Sequence, residues 1–377
     1  MDLKLSDEEK LIQETAAQFV RREMLTREGD YLRQAELYLP PGDPPRRSCN
    51  SEIHRMLLII ARRIGLWALE LAPSGADEPM SNVARVLVYR EFGRSILPFE
   101  PGTIPAIMAE TPYVKDLTEG KLSLSLALGE IHRTGMLNEI ATRYSEDGDG
   151  FVLSDAIMDL LNPEADFLLL PARAEGSGRV GLFLIAAETA GVIIDKVEDL
   201  TTDATVACLK LNQCKVPRDG LLGTEMEIET IVAAEQLRIA GRCLGIAMRC
   251  LADTIEHARN RVTFGRPLAQ RQAIQWMLAD LSTDISTSTW LTLEAAWRAD
   301  NKMPYFQAAA LAKKRAAKMA FQAADTAIQI HGGYGVCKEF PFEGFYRETR
   351  MQRMLYGREA EMDKTAGERF LKEGSRH

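Results

Sequence analysis

Beyond Pro217 the sequence settles into a helical period that it keeps almost to its last residue, and nothing else in it limits the possible folds so strongly. Apolar residues recur every three or four positions through runs near 226–261, 268–299 and 304–330. Each run is longer than an average globular helix. A long helix with one apolar stripe cannot bury that stripe alone. Several of them joined by short loops pack side by side as an antiparallel bundle.

Ahead of Pro217 the chain has two textures. Ser6-Asp7-Glu8-Glu9 reads as a capping box, with the Ser hydroxyl accepting from a backbone N–H and the Glu9 carboxylate reaching back. Leu11, Ile12, Ala16, Phe19 and Val20 follow at helical spacing, so a first helix is expected to about Arg22. The Pro-rich stretch Leu39–Pro45 cannot continue a helix. Ser51–Ile64 and Ser81–Phe92 are expected as further helices, each opening on a Ser suited to the N-cap. From about Lys121 short apolar runs replace the helical period: Leu122–Leu128, Phe151–Leu153, Phe167–Leu170, Val180–Ala186 and Val206–Leu211. Asp147-Gly148-Asp149-Gly150 signals a tight turn between two strands. The order is therefore helices, a small antiparallel β section, and helices again.

Composition narrows the functions. At 377 residues the chain exceeds one ordinary core and suits about two or three compact units. With 46% hydrophobic and 27% charged residues it has the profile of a soluble globular protein. A net charge of -8 argues against a nucleic-acid surface, which needs clustered Lys and Arg, but leaves room for a local basic pocket. The N-terminus lacks the basic and apolar regions of a secretory signal, and no apolar run nears the roughly 20 residues of a membrane span. Cys49, Cys208, Cys214, Cys243, Cys250 and Cys337 form no CxxC pair, so a reducing cytoplasm is the expected compartment. His132, His257 and His331 lack metal-ligand spacing, so no metal site is expected. The basic run Lys313-Lys314-Arg315 with Lys318 reads as a solvated helix face, and Met351, Met354 and Met362 as helix packing.

Two segments carry chemistry. One is Arg261-Val262-Thr263-Phe264-Gly265-Arg266-Pro267-Leu268 with Gln272-Ala273-Ile274-Gln275 after it. The other is Gln329-Ile330-His331-Gly332-Gly333-Tyr334-Gly335, followed by Glu339, Pro341 and Tyr346-Arg347-Glu348. An Arg at the end of a long helix offers a phosphate two parallel donors, and paired glycines let a ligand phosphate approach the backbone. Taken singly, Gly332-Gly333 reads more readily as a helix C-cap than as a ligand contact.

Together and in this order, the two segments resemble the best sequence signatures of the acyl-CoA dehydrogenase family. The start Leu5-Ser6-Asp7-Glu8-Glu9 and the stretch Glu91-Phe92-Gly93-Arg94 resemble it too, and the helix–β–helix order matches over essentially the whole chain. The resemblance implies an α+β fold in three domains: N-terminal α-helical at 1–118, middle antiparallel β at 119–222, and a C-terminal four-helix bundle at 223–377. It implies FAD at a subunit interface of a tetramer, either a homotetramer or an α2β2 heterotetramer. Arg261, Thr263, Phe264 and Gln272 of one subunit would meet its adenine and pyrophosphate side, with Gln329, Gly332 and Gly333 coming from the neighbour. The implied reaction is α,β-desaturation of an acyl-CoA thioester, with an electron-transfer flavoprotein as acceptor.

That reaction needs a carboxylate base for a weakly acidic α-proton, desolvated in an apolar pocket. The family's usual Glu-Gly-Thr base aligns with Tyr356-Gly357-Arg358, and a phenol with a reference pKa near about 10 is a poor base. A minority of the family carries the base on an earlier helix, which aligns with Glu235. The other reading of Glu235 is a bundle Glu paired with Arg238 or Arg242, and Gln236 stands where such enzymes commonly carry an Arg. The family's Thr-Glu-Pro-Gly-x-Gly-Ser-Asp loop aligns with Gly129-Glu130-Ile131-His132-Arg133-Thr134-Gly135. Its flavin-packing Trp-Ile-Thr-Asn aligns with Asp159-Leu160-Leu161-Asn162. Losses gathered at the flavin ring and base, beside an intact dinucleotide side, resemble one subunit type of α2β2 members for bulky steroid side-chain CoA thioesters. Such a chain completes a partner's FAD site without a full active site of its own.

Overall fold

The computed structural model describes residues 4–34, 47–72, 79–99, 101–134, 137–155, 157–199 and 205–373. Helices α1 (Asp7–Phe19), α2 (Glu28–Gln34), α3 (Arg47–Arg63), α4 (Asn82–Phe92) and α5 (Val114–Thr118) come first. Strand β1 (Leu124–Leu126) and helix α6 (Gly129–Thr134) open the middle stretch. It continues with β2 (Arg143–Asp147), β3 (Gly150–Ser154), β4 (Ile157–Leu161), β5 (Phe167–Ala174) and β6 (Val180–Ala186). Strands β7 (Val192–Asp199), β8 (Thr205–Leu211), β9 (Cys214–Pro217) and β10 (Leu221–Thr224) complete it. Then come α7 (Glu225–Asn260), the short strands β11 (Val262–Thr263) and β12 (Arg266–Pro267), α8 (Gln272–Asp300), α9 (Phe306–His331), α10 (Phe342–Gln352) and α11 (Glu359–Glu373). The architecture is α+β, helical at both ends with sheets between. Two compact units are formed, Met1–Thr103 with Gln236–Arg353, and Ile104–Glu235 with Met354–His377.

In the first unit the capping box forms as the sequence predicts: Glu9 N–H donates to Ser6 Oγ at 3.1 Å, and Ser6 N–H to Glu9 Oε2 at 2.8 Å. The helix does not stop at Phe19 but widens into a π turn over Val20–Met24. Its inner face, Ala16, Phe19, Val20 and Met24, packs with Leu57 and Ala61 of α3 and Val88 and Phe92 of α4. Burying each large side chain of this set contributes about 1.5–3 kcal/mol. Helix α3 begins at Arg47 rather than Ser51. The Pro-rich Leu39–Pro45 lies outside the described residues. Ser81 caps α4 as expected, accepting from Ala84 N–H at 3.1 Å. Asp300, at the far end of α8, accepts from Asn82 N–H and Val83 N–H at 2.6 and 3.0 Å, satisfying donors that a helix start leaves open.

Small residues let the long helices approach closely. A Cβ on Gly245 of α7 would run into the Arg90 carbonyl, and one on Gly93 into the Arg242 carbonyl. Helix α9 buries Ala309, Ala312, Ala316, Ala320, Ala323 and Ala327, a stripe at helical spacing. The basic run is not a solvated face. Lys313 is buried, with its Nζ 3.4 Å from the Arg353 carbonyl, and Arg315 pairs with Asp284. Only Lys318 of the four is exposed.

In the second unit the described strands make two sheets. One runs β10-β6-β5-β2-β3-β9 with β1 joined to β5, and the other β4-β8-β7. The Asp147–Gly150 turn closes the β2–β3 hairpin, with Gly148 at φ +56°. The expected antiparallel section is in fact mixed: β1 and β2 both run parallel to β5, over Phe167–Leu169 and Arg173–Ala174. Strand β5, buried over most of its length, takes both as neighbours on one edge at opposite ends. Leu153, Leu160, Leu168, Leu170, Phe183 and Leu209 form the core of this unit.

Candidate functional site

Helix α7 ends at Asn260, and Arg261 N–H still donates to the His257 carbonyl at 2.8 Å. The chain then turns back through a two-stranded hairpin that pairs Val262 with Pro267 and Thr263 with Arg266. Phe264 and Gly265 make the turn at φ 48° and 77°. A left-handed phenylalanine is unusual, and this one is 98% exposed. Arg261 and Arg266 are exposed on the same hairpin, and no carboxylate pairs with either among the described residues. Gln272, also exposed, opens α8. Thr263 is half-buried.

Sequence reading passed over Arg271. Its Nη2 donates to the Thr263 carbonyl at 2.5 Å and to Thr263 Oγ1 at 2.9 Å, and its guanidinium lies 5.6 Å from the Phe264 ring centre. Hairpin pairing brings positions 263 and 271 together, and helical spacing gives no hint of it.

The second segment ends α9. Gly332, at φ 61° and ψ -135°, is the C-cap, donating to the Gln329 and Ile328 carbonyls, so the capping reading holds for that glycine. It leaves Gly333 unexplained. A Cβ on Gly332 or Gly333 would meet nothing within 4 Å, while one on Gly335 would strike the Ile328 backbone. Gly335 is therefore a packing glycine, and the twin glycines expose open backbone. Gln329 is exposed beside them.

The two segments meet within one protomer through a pair of histidines. His257, one turn before Arg261, stacks on His331, which immediately precedes Gly332, at 4.2 Å and 30°. His331 Nδ1 lies 2.7 Å from the Ala327 carbonyl, which fits an N–H donated there. Burial holds both imidazoles below the ordinary range, and for His257 the adjacent His331 and Arg261 add to it. For His331 the Ala327 bond and Asp253 pull the other way.

Glu235, on α7, is only 2% exposed, a setting withdrawn from water. Of its two suggested arginine partners, Arg242 is held by Glu348 through Nε and through Nη2 at 3.0 Å. Tyr356 is buried at φ 50°, followed by Gly357 at φ 106°, so the segment aligned with the usual base is a left-handed turn.

The two segments that depart from the family pattern adjoin each other in the second unit. Gly129–Thr134 coils into α6, and a Cβ on Gly129 would lie 2.7 Å from the Asp159 nitrogen. Buried Glu130 accepts from the Thr142 hydroxyl at 2.9 Å and from Ala141 N–H at 3.2 Å. Gly135 and the His132 side chain lie outside the described residues. In β4, Met158 and Leu160 enter the core, while Asp159 is exposed and Leu161 half-buried. Ser125 donates its hydroxyl to the Leu161 carbonyl.

The hairpin and twin glycines thus fit an anionic dinucleotide. They offer two guanidiniums with no carboxylate partner among the described residues, an outward aromatic ring and a backbone surface with room above it. Among the described residues no cluster of His, Cys, Asp and Glu could hold a metal ion, and no helix is long and apolar enough to cross a membrane.

Comparison with known proteins gives a separate line of observation. Residues 223–371 match the family described as "Acyl-CoA dehydrogenase, C-terminal domain". The human mitochondrial short-chain specific acyl-CoA dehydrogenase is 31% identical over 256 residues, 65% of this chain and 62% of that protein. The match thus spans less than two thirds of that relative's length. Butyryl-CoA dehydrogenase from Megasphaera elsdenii superposes with a TM-score of 0.80 at 21% identity, covering 98% of this chain and 100% of that one. A chain of the ChsE4-ChsE5 complex from Mycobacterium tuberculosis superposes at 0.81 and 23% identity, covering 99% of each.

Proposed function

The chain belongs to the acyl-CoA dehydrogenase family, and on that premise we propose that it serves an FAD-dependent α,β-desaturation of an acyl-CoA thioester, acting alone or as a subunit of a heteromeric enzyme. The observation that carries the reading is that Arg261, with no carboxylate partner among the described residues, the outward Phe264 ring and the open backbone at Gly333 are all left exposed by their own chain. Arg261, Thr263, Phe264 and Gln272 hold the adenine and diphosphate side of FAD. Gln329, Gly332 and Gly333 approach from a neighbouring subunit, so the working form is a tetramer of family chains. When bound, FAD supplies the two-electron acceptor. Glu235 is the base: its carboxylate takes the α-proton, and its burial keeps water from competing for that position. An electron-transfer flavoprotein is the proposed acceptor. Cys208, Cys214, Cys243, Cys250 and Cys337 form no disulfide among the described residues, which supports a reducing, cytoplasmic setting.

A second reading has its own observations. Tyr356 stands in a buried turn at the usual base position, Leu160 points into the core, and Glu130 is satisfied internally. These favour a chain that completes the FAD site of a related catalytic subunit in an α2β2 enzyme for bulky CoA thioesters. An absorption spectrum of the purified chain, alone and co-expressed with a homologous chain, separates the readings. A flavin band that bleaches with acyl-CoA in the chain alone supports Glu235 catalysis. A band only after co-expression supports the partner role. Colourless protein in both preparations rejects FAD binding altogether.

A further inference from the structure

We infer that Arg271 is a positioning residue for the dinucleotide site: it touches no cofactor but fixes the hairpin that does. The inference deepens the FAD reading and rests on it. Three arginines stand on or beside the hairpin, and they are used differently. Arg261 and Arg266 are exposed and meet no carboxylate among the described residues. Arg271 is half-buried and turned inward, spending one nitrogen on both oxygens of Thr263 and laying its plane near the Phe264 ring.

The hairpin needs such a clamp. It is held by a two-residue ladder, Val262 with Pro267 and Thr263 with Arg266, and Pro267 has no N–H to give. Leu268 N–H donates to the Arg261 carbonyl at 2.9 Å, which closes the loop at its base. Two consecutive residues, Phe264 and Gly265, sit in the left-handed region at the tip. A non-glycine residue there persists when its surroundings over-determine it. With its ring almost wholly in water, Phe264 receives little packing from its own chain. The Arg271 contact is the interaction seen on that ring. Arg271 also begins in extended backbone at φ -92°, just ahead of α8, so its side chain is anchored by a rigid helix. The charge-assisted bonds to Thr263 and the face-on contact with Phe264 therefore set the tip before any ligand arrives. A preordered loop binds more tightly because less freedom is lost on binding.

Lysine is the informative substitution. It keeps the charge but lacks the planar fork that bonds Thr263 while facing a ring. FAD titrated into the deflavinated full-length protein at low and high salt, for wild type, Arg271→Lys, Arg271→Gln and Arg261→Gln, tests the inference. Hydrogen exchange of residues 262–268 in the flavin-free protein accompanies it. For Arg271→Lys we expect an FAD Kd raised about tenfold, an unchanged melting temperature, and faster exchange in the hairpin. Its salt dependence should match wild type, because the Arg271 charge faces Thr263 and not a phosphate. Arg261→Gln should flatten the salt dependence. The inference falls if Arg271→Lys binds FAD like wild type, or leaves hairpin exchange unchanged. It also falls if Arg271→Gln flattens the salt dependence as much as Arg261→Gln does, since Arg271 would then be a direct phosphate ligand. Should wild type take up no flavin even with a co-expressed homologous chain, the FAD reading fails and this one with it.

Discussion

Around Gly332 and Phe264 the chain leaves its polar and aromatic groups facing outward, whereas around Gly129 and Glu130 it turns them on itself. In the first unit Phe264 is 98% exposed and the twin glycines border empty space. In the second, Glu130 is consumed by Thr142 and Ala141, and Gly129 presses on the backbone of Asp159. A surface that must take a ligand keeps unpaired donors and open backbone. A surface relieved of that duty can let its polar groups satisfy each other. The contrast teaches that an open, outward-facing surface and an internally satisfied one can be carried by separate stretches of one chain, which is the division the proposed partner role requires.

The sharpest way to break the contrast is to ask whether this chain does chemistry at all. Glu235→Gln keeps the shape of a side chain that is 2% exposed and removes its ability to take a proton. If the chain is itself catalytic, acyl-CoA-dependent dye reduction should drop by about 10²–10⁴-fold with flavin content unchanged. Turnover equal to wild type would remove Glu235 as the base.

Much of this was legible in the sequence, and the parts that were not share a cause. The Ser6 capping box, the Asp147–Gly150 turn and the three long helices depend on neighbours in sequence, and each appears where local rules put it. The parallel pairing of β1 and β2 with β5 depends on contacts far along the chain, and an alternating apolar run looks alike in either orientation. Lys313 illustrates the same limit. Its charge suggested solvent, but the alanine stripe of α9 buries the face that carries it. Within the candidate site, Arg261 and the glycines could be found from motif spacing. Arg271 and the His257–His331 stack could not, because a hairpin and a helix crossing bring those residues together.

Two alanine substitutions sharpen the contrast from the stability side. Gly129→Ala forces a methyl group against Asp159 and should destabilise the protein by about 1–3 kcal/mol, read as a lower urea midpoint. Gly333→Ala meets nothing in its own chain, so the flavin-free protein should melt as wild type does. Its effect should fall on FAD affinity, weakened about tenfold by a methyl on the approach surface. The opposite pattern, a destabilised Gly333→Ala with normal FAD binding, would make the twin glycines structural and erase the distinction between the two regions.

The smallest effect concerns the histidine pair that links the two outward-facing segments. Burial first, and then the neighbouring His331 and Arg261, hold His257 below its ordinary pKa of 6.5, and burial does the same to His331 against the pull of the Ala327 carbonyl and Asp253. A histidine with a depressed folded pKa is protonated sooner in the unfolded chain. The pair therefore contributes stability above about pH 6.5 that is lost progressively as pH falls toward the folded values. The urea midpoint should decline below pH 6.5, by less than Gly129→Ala costs at neutral pH. In His257→Phe the ring can still stack on His331 without taking a proton, so the decline should become shallower. A decline as steep in His257→Phe as in wild type would assign the acid sensitivity to carboxylates elsewhere and leave the stack a packing contact alone.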